Sequence, residues 1–518
     1  MTALAFTASA QTASASYYVD CSAKKNGSGS EASPWNSLAA ANAAAWHAGD
    51  HLLFKRATTC AGQLAPQGSG IANSPIVIDA YGSGKPPIID GGDADEAVKL
   101  FNQQYWEISN LEIVGGNHYG VHVSGDTSNS SLSHIYLRHL DVHGAHFQSA
   151  RRADSGEVFI SPAGSAQVLH DILVEYVSAH DSTVSEGIHV SAGGLWIENA
   201  GTPQPLGSNV TVQNSTAYNL AGDGILIAEL TNGLLQHNVV HHTGICPKCT
   251  GSTPVGLWEW YCKGCIVQFN ESYANDSWDG DGGDFDIDYY NDDNIVQYNY
   301  GHDSSGYCIA FFGAGGRASR HNIFRYNICA NDGRKPELSR QGEVFLHTWE
   351  GGSLDGVEIY NNTFYWNPAR NAPLIAATDA TYGGAGPLIF KNNIVFATVP
   401  WMIQVPSSLI LDHNVYWTTS KEAQVWQVGD KVFNTYPDYQ AGSNQDIHSP
   451  LADPKLVDPT YHAPGMPTTA FRLNPGSIAV RSGARICAGR TDCDVGKQDF
   501  FGNPIPFGHV NIGAYQGQ

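Results

Sequence analysis

The hydrophobic and polar positions of this chain alternate in short runs that return between residues 106 and 418. Each run ends in Asn or a substitute and is followed by a second short apolar run, as in WEISNLEIVGG, VTVQNSTAYN and NIVQYNYGHD. The alternation has a period of two, which is typical of β-strands with one buried face. The pattern therefore predicts many short strands and little helix.

The spacing of these runs predicts how the strands are arranged. The repeated Asn position recurs at steps of 22 to 38 residues, counted at Asn110, His139, Tyr176, Asn214, Asn238, Asn270, Asn299, Asn327, Asn361, Asn392 and Asn414. A repeat of that length made of strands and turns indicates a solenoid. We predict an all-β right-handed parallel β-helix in which the Asn side chains hydrogen-bond to the backbone or from coil to coil.

The amino-acid composition of the chain changes outside the repeats, which predicts four segments. Residues 1–16 resemble the end of a secretory signal whose basic start is missing, and 17–73 predict an N-terminal cap with one short helix. Residues 74–418 form the predicted β-helix, and 419–518 a loop-rich extension packed on the last coils. No apolar run is long enough to cross a bilayer. We expect a secreted, extracellular or periplasmic, protein that is a monomer.

The net charge of the chain indicates which classes of ligand it can bind. The net charge is −22, with 27 Lys and Arg against 49 Asp and Glu. Such a chain repels nucleic acid, anionic lipid surfaces and polyanionic glycans, so neutral partners are favoured.

The ten cysteines fit an oxidising compartment. Predicted local pairs are Cys21 with Cys60, Cys308 with Cys329, and Cys487 with Cys493; a buried thiol stack is the alternative for the second pair. Two further CxxC pairs fit either disulfides or a tetrahedral zinc site: Cys246, Cys249, Cys262 and Cys265.

A second strand in each coil carries the candidate chemistry. Its inward positions are predicted at Val121, Val158, Ile188, Ile225, Leu257, Phe285, Tyr307 and Val344. On this alignment Asp284, Asp286 and Asp288 point outward together, with Asp223 and Glu343 about two coils away on either side. Carboxylates this close raise the pKa of at least one member, which keeps it protonated as a general acid beside a base. We predict Asp284 and Asp286 as the central catalytic carboxylates, completed by Glu343 or Asp223.

Other residues of these strands and turns are candidates for binding substrate. Trp258 and Trp260, predicted to be exposed, would stack on sugar rings; packing under a loop is the alternative. Further groove residues are Asp288, His347, Asp303 and Arg334, and the turn residue Asp303 is alternatively explained by turn capping.

The stretch Asn275 to Asp284 alternates Asp with Gly, as oxygen-rich calcium loops do. Asp279, Asp281 and Asp284 are therefore candidate calcium ligands, and a solvated acidic edge is the alternative. No cofactor is required for the predicted chemistry.

The phrases VGLWEW, DGGDFDID, VQYNYGHD and the closing DFFGNPIP with NIGAY resemble those of secreted microbial right-handed parallel β-helix proteins, the superfold of pectate lyases and polygalacturonases. The resemblance covers nearly the whole chain and implies a carbohydrate-active protein. The polygalacturonase pattern is matched only in outline: Asp292-Asp293 is a paired carboxylate, but no Gly-His-Gly follows it. No catalytic residue is carried over.

These observations favour a glycoside hydrolase that acts on a neutral or weakly charged polysaccharide or oligosaccharide. Alternate residues of a strand lie roughly 6.6 Å apart, which fits the carboxyl separation of inverting enzymes, roughly 6.5 to 9.5 Å, better than that of retaining ones. One alternative is a polysaccharide lyase that acts on a uronate glycan with calcium and uses a base such as His347. The other is a non-catalytic glycan-binding protein.

Overall fold

The computed structural model describes residues 14–126, 131–146, 155–162, 168–193, 207–246, 253–278, 280–338, 341–384, 386–488 and 493–517. In these ranges the chain is a right-handed parallel β-helix with few helical residues, as predicted. Each coil contributes strands to three parallel ladders, two of which are joined into one sheet.

The joined ladders form what we call the long sheet, because the strands Ser131–His143 and Val168–Ser182 run through both. The first ladder also contains Ser16–Val19, His51–Lys55, Ile76–Tyr81, Trp106–Ser109, Gly207–Gln213, Leu230–Thr231, Leu234–Gln236, Ile266–Gln268, Ile295–Gln297, Ile323–Arg325, Glu358–Tyr360, Ile389–Lys391 and Ile410–Asp412. The second also contains Thr59–Ala61, Ile88–Gly92, Glu112–Gly115, Thr216–Leu220, Val239–His241, Glu271–Tyr273, Tyr300–His302, Ile328–Ala330, Thr363–Trp366, Ile394–Ala397 and Val415–Thr418.

The third ladder, which we call the short sheet, is parallel except for its last pair. Its strands are Glu96–Phe101, Tyr119–Gly125, Gly156–Pro162, Glu186–Ser191, Asp223–Ala228, Leu257–Trp260, Phe285–Ile287, Ile309–Gly313, Val344–Thr348, Ile375–Ala376, Trp401–Val405, Val425–Val428 and Lys431–Phe433. Two small pairs complete the strands: Ala45–Trp46 with Gln67–Gly68, and Ala318–Arg320 with Ser353–Asp355.

The period of two buries one column of apolar side chains along the short sheet. The column in register is Val121, Val158, Ile188, Ile225, Leu257, Phe285, Ile309 and Val344, each at most 1% exposed. Burying each side chain stabilises the fold by about 1.5–3 kcal/mol. The prediction that Tyr307 occupies this column is wrong: Ile309 does, two residues later. Cys308 lies in the core and is bonded to Cys329, as predicted.

A ladder of Asn side chains connects successive coils, as predicted. The Asn299 amide donates to Asn327 Oδ1 at 3.0 Å, and its Oδ1 accepts from the Asn270 backbone at 2.9 Å. The ladder continues through the fully buried Asn362 and Asn393 rather than their neighbours. The predicted positions Asn361 and Asn392 instead have positive φ and bond to the C-terminal segment.

Both ends of the solenoid are covered. The helix Leu38–Ala43 lies in the N-terminal segment, but Ser16–Val19 and His51–Lys55 already pair in the long sheet, so the ladder begins earlier than residue 74. The helix Tyr436–Ser443 follows the last strand. The segment after it packs on the long sheet, with Phe471 and Ile512 in one core cluster with Tyr300 and Ile394 of that sheet. No helix in the described part of the chain is long and apolar enough to cross a membrane.

The structure confirms the three predicted disulfides and excludes the zinc site proposed for the other four cysteines. Cys21–Cys60, Cys308–Cys329 and Cys487–Cys493 are disulfides. Cys246 is also disulfide-bonded, which excludes a zinc site made of all four remaining cysteines; Cys249 lies outside the described residues. Cys262 and Cys265 are buried free thiols.

The buried carboxyl of Glu157 predicts a pH-dependent stability. Burial raises the pKa of Glu157 to about 8, although its Oε1 accepts from the Ala145 backbone at 2.9 Å. The folded protein thus holds this group protonated while the unfolded chain ionises it above about pH 4.5. Stability is lost between these two values as the pH rises, by roughly 3 kcal/mol at pH 7. Glu157→Gln, which cannot ionise, removes this loss.

We therefore expect Glu157→Gln to become more stable than the wild type as the pH rises from 4.5 to 8, measured by urea denaturation at several pH values. Glu422→Gln at an exposed position is the matched control. A constant difference between Glu157→Gln and the wild type at all pH values would contradict the prediction.

Candidate active site

A pocket of about 640 Å³ lies against the short sheet. Its floor and walls come from neighbouring coils, because parallel strands stack residues of equal register side by side. The lining residues are Thr253, Val255, Trp258, Trp260, Gly280, Asp281, Asp286, Asp288, Tyr289, Phe312, Gln341, Phe345, His347, Trp349, Ala376, Thr378, Asp379 and Gln404. The pocket thus joins acidic groups with an aromatic wall.

Asp286 is the central carboxyl of the pocket. It lies in register with Trp258 and Ala310 on the adjacent strands and is only 4% exposed. Its Oδ2 accepts from the Tyr307 hydroxyl at 3.3 Å, and its Oδ1 has no hydrogen-bond partner among the described residues. Burial, and then the charges of Asp288 and Asp281, raise the pKa of Asp286 well above its usual range. This carboxyl group is therefore suited to hold a proton near neutral pH.

Three other carboxylates surround Asp286. Asp288 follows it on the same face, two residues on, with its Oδ1 accepting from the Tyr289 backbone at 2.8 Å. Asp281 lines the pocket from the preceding loop. Asp223 does not line the pocket; its Oδ1 accepts from the Val255 backbone at 2.7 Å, and its charge still acts on Asp286.

Asp284 and Glu343 lie inside the coil and not in the pocket. Asp284 Oδ1 accepts from the Asn275 amide at 3.0 Å and from the Ser304 hydroxyl at 2.6 Å, and both acidic residues are fully buried. Burial, and then the charge of Asp332, raise the pKa of both carboxyls. Their predicted outward orientation is wrong, because the chain bends at Asp284 before the strand begins. Side chains alternate between inward and outward orientations only within the strand itself.

Trp258 and Trp260 line the pocket, but the prediction that they are exposed is wrong. Each is 6% exposed, and they form one cluster with Leu226 and Val255, against which Tyr289 packs. The ring of Trp260 meets that of Tyr289 edge to face at 5.8 Å. The Trp260 Nε1 is buried and has no hydrogen-bond partner among the described residues.

His347 lines the opposite wall, as predicted, within an aromatic group that the sequence analysis missed. Its ring stacks between Phe345 and Trp349, with centroids at 5.6 and 5.7 Å, and its Nδ1 lies 3.0 Å from an Asp379 carboxylate oxygen. The missed signal was the spacing of Phe345, His347 and Trp349, which puts alternate residues of one strand on one face. Phe312 was missed because of the two-residue error at Tyr307.

Asp303 and Arg334 do not reach the pocket, so their predicted place at the groove is wrong. Asp303 makes ion pairs with His302 at 2.7 Å and with His462 of the C-terminal segment at 3.0 Å. Arg334 is exposed and donates to Asn331 Oδ1 at 3.3 Å. Asp303 thus links its coil to the C-terminal segment, and turn capping by Asp303 stays a prediction.

The predicted calcium ligands are not gathered at one place. Asp281 lines the pocket, whereas Asp284 points into the coil, and Asp279 lies outside the described residues. Calcium binding by this loop stays a prediction.

The lining residues define what the pocket can do. A protonated carboxyl beside carboxylates supplies the acid and base of general acid–base catalysis, and aromatic edges suit the apolar faces of a neutral ligand. The described lining has four aspartates and neither lysine nor arginine, so it disfavours an anionic ligand.

Two kinds of comparison relate this chain to known proteins. It is 24% identical to a lacto-N-biosidase of Bifidobacterium longum subsp. longum, over 98% of this chain but only 37% of that protein's length. Two crystal structures of a GH136 lacto-N-biosidase from Eubacterium ramulus share the fold, with TM-scores of 0.53 and 0.52 at 19% and 20% identity. Both cover 80% of this chain and 65% of the solved chain.

A family model supplies the remaining comparison. The model of the right-handed β-helix region matches residues 93–271 and 170–364, which together exceed half of the chain. The repeated strands, the three ladders and this match agree, and the chain belongs to the right-handed β-helix family.

Proposed function

We propose that this protein is a secreted glycoside hydrolase that acts on a neutral oligosaccharide in the pocket of the short sheet. The observation that carries the proposal is Asp286, a buried carboxyl with a raised pKa, in a pocket with three further aspartates and an aromatic wall. The likeness to a lacto-N-biosidase across nearly the whole chain supports the same reaction class. The disulfides support secretion.

In the proposed mechanism Asp286 is the general acid. The carboxyl group of Asp286, which lines the pocket, donates the proton to the glycosidic oxygen as the bond to the anomeric carbon breaks. The Tyr307 hydroxyl, 3.3 Å from Oδ2, orients the carboxyl group. The neighbouring negative charges stabilise the positive charge that develops on the sugar ring. No step of this mechanism requires calcium.

Asp288 is the proposed second carboxylate, which activates water from the opposite face of the sugar. Asp288 follows the strand Phe285–Ile287 directly, and both carboxylates line the pocket. Two residues of extended chain span roughly 6.6 Å, within the range of carboxyl separations in inverting enzymes. We expect inversion, so the first product released has the anomeric configuration opposite to that of the substrate. Proton NMR during the first minutes of hydrolysis measures this configuration. A product that retains the configuration would assign the second role to a carboxylate closer to Asp286.

Trp260 is the proposed substrate platform, because its ring lines the pocket. We expect Trp260→Ala to raise KM about tenfold with a smaller change in kcat, since aromatic contacts contribute about 0.5–1.5 kcal/mol. Trp260→Phe keeps a smaller aromatic ring, and its KM should lie between those of the wild type and Trp260→Ala. Steady-state kinetics measures KM and kcat of the two variants. Thermal denaturation measures how much stability each variant loses when the buried ring is changed. An unchanged KM in Trp260→Ala would place the substrate elsewhere.

The experiment that tests the function is product analysis by mass spectrometry. The protein is incubated with neutral oligosaccharides and polysaccharides, a lacto-N-biosidase substrate among them, and with uronate polysaccharides as the contrast. Products whose masses add up to the mass of the substrate plus one water establish hydrolysis. Unsaturated products from the uronate panel would instead identify a lyase, and binding without products would identify a glycan-binding protein.

A further inference from the structure

Glu259 occupies a position at which every neighbour in register is aliphatic or aromatic. It lies between Ile227 and Ile287 on the adjacent strands of the short sheet, and Phe311 follows on the next. Its side chain is fully buried, and neither carboxylate oxygen has a hydrogen-bond partner of acceptable geometry among the described residues. An ionised carboxylate is not stable in such surroundings unless a positive charge compensates it.

Two free thiols face the same place in the core. Cys262 and Cys265 follow Glu259 at the corner of the coil and are 1% and 0% exposed. One donor atom each from Glu259, Cys262 and Cys265 lies within 4.8 Å of the other two. The Gly233 backbone N–H donates to Cys265 Sγ at 3.3 Å. None of these groups takes part in the pocket on the outer face.

We propose that Glu259, Cys262 and Cys265 bind a thiophilic divalent cation, zinc, in the core of the β-helix. Thiolate sulfur and carboxylate oxygen are both zinc ligands, and two thiolates select zinc over calcium or magnesium. Binding displaces the protons of the two thiols and of Glu259, and the two positive charges of the ion offset the three negative ligands to a net charge of −1.

The geometry suits a tetrahedral ion. Zinc bonds of about 2.3 Å to sulfur and 2.1 Å to oxygen separate neighbouring ligands by about 3.6–3.8 Å, so the three donors close on the ion with shifts of about 1 Å. The Ile227 carbonyl lies 3.8 Å from Cys262 Sγ, and the Leu230 carbonyl lies 3.8 Å from Cys265 Sγ. The fourth position is left for one of these carbonyls or a water molecule.

The proposed zinc site can be tested without any measurement of enzymatic activity. The full-length protein is purified from medium supplemented with zinc, and metal content is measured per chain by mass spectrometry. We expect one zinc per chain, and we expect the thiols of Cys262 and Cys265 to react only after unfolding with a chelator. Reconstitution of the wild type with Co²⁺ should give sulfur-to-cobalt charge-transfer absorption, which requires no mutant to fold.

The variant Glu259→Gln preserves side-chain volume and should lower zinc affinity by about tenfold or more. Glu229→Gln is the matched control, because Glu229 is also a buried glutamate, 1% exposed, and is absent from the thiol cluster. Its zinc content should equal that of the wild type. A disulfide between Cys262 and Cys265 in a mass map of the purified protein, or two reactive thiols without metal, would overturn the proposal.

Discussion

Asp286→Asn is expected to lower kcat by about 10³-fold while the fold stays intact. General acid–base catalysis contributes about 10²–10⁴-fold in enzymes, and the amide of Asn has nearly the shape of the carboxyl group but no acidic proton to donate. The Tyr307 hydroxyl, 3.3 Å from the carboxyl group, can still donate to the amide oxygen, so packing is preserved. Steady-state kinetics on the substrate identified by product analysis measures the effect.

Asp379→Asn is the matched control for this prediction. Asp379 lines the same pocket, but its side chain is 81% exposed and pairs with His347 at the rim. We expect its kcat to change by less than about fivefold, as exposed ion pairs contribute little. The wild type should also lose activity as the pH rises through the raised pKa of Asp286. If Asp286→Asn keeps more than a tenth of the wild-type kcat, Asp286 is not the acid.

Asn299→Ala is expected to lower the free energy of unfolding by about 3–5 kcal/mol. The Asn299 side chain accepts from the Asn270 backbone at 2.9 Å and donates to the Val267 carbonyl at 2.9 Å and to Asn327 at 3.0 Å. Removing the amide takes the acceptor from the buried Asn270 backbone N–H and a donor from the Val267 carbonyl, whereas Asn327 Oδ1 keeps the Asn299 backbone N–H at 2.8 Å. Each buried group left unpaired costs about 1–3 kcal/mol. Urea denaturation measures the difference.

Gln268→Ala is the control for the ladder. Gln268 belongs to a second amide ladder, in which it donates to Gln236 at 3.0 Å and accepts from Gln297 at 2.9 Å. That ladder is partly exposed, so water replaces the lost bonds, and we expect a loss below about 1 kcal/mol. Equal losses in Asn299→Ala and Gln268→Ala would show that burial does not determine the ladder's contribution.

The sequence by itself determined the architecture of this protein. The period of two and the repeated Asn position are local patterns, and a parallel solenoid stacks equal positions of successive coils, so the pattern in one coil predicts the contacts of the next. The place of Asp286 beside Trp258 follows from the same rule. The three confirmed disulfides were predicted instead from the even number and the close pairing of the cysteines. The inward position of Glu259 was equally readable from VGLWEW, where a Glu interrupts an apolar column.

Only the tertiary structure decided which acidic residues reach the pocket. Alternation fails at corners, because a bend can turn two successive side chains to the same side; Asp284 and Glu343 therefore point inward although they precede strands. The residue in register with Phe285 depends on the length of the turn before Tyr307, which no local pattern fixes. The burial of Trp258 and Trp260 depends on Tyr289, Leu226 and Val255 in neighbouring coils. Side-chain exposure is a property of the assembled coils, whereas strand periodicity is a property of the chain.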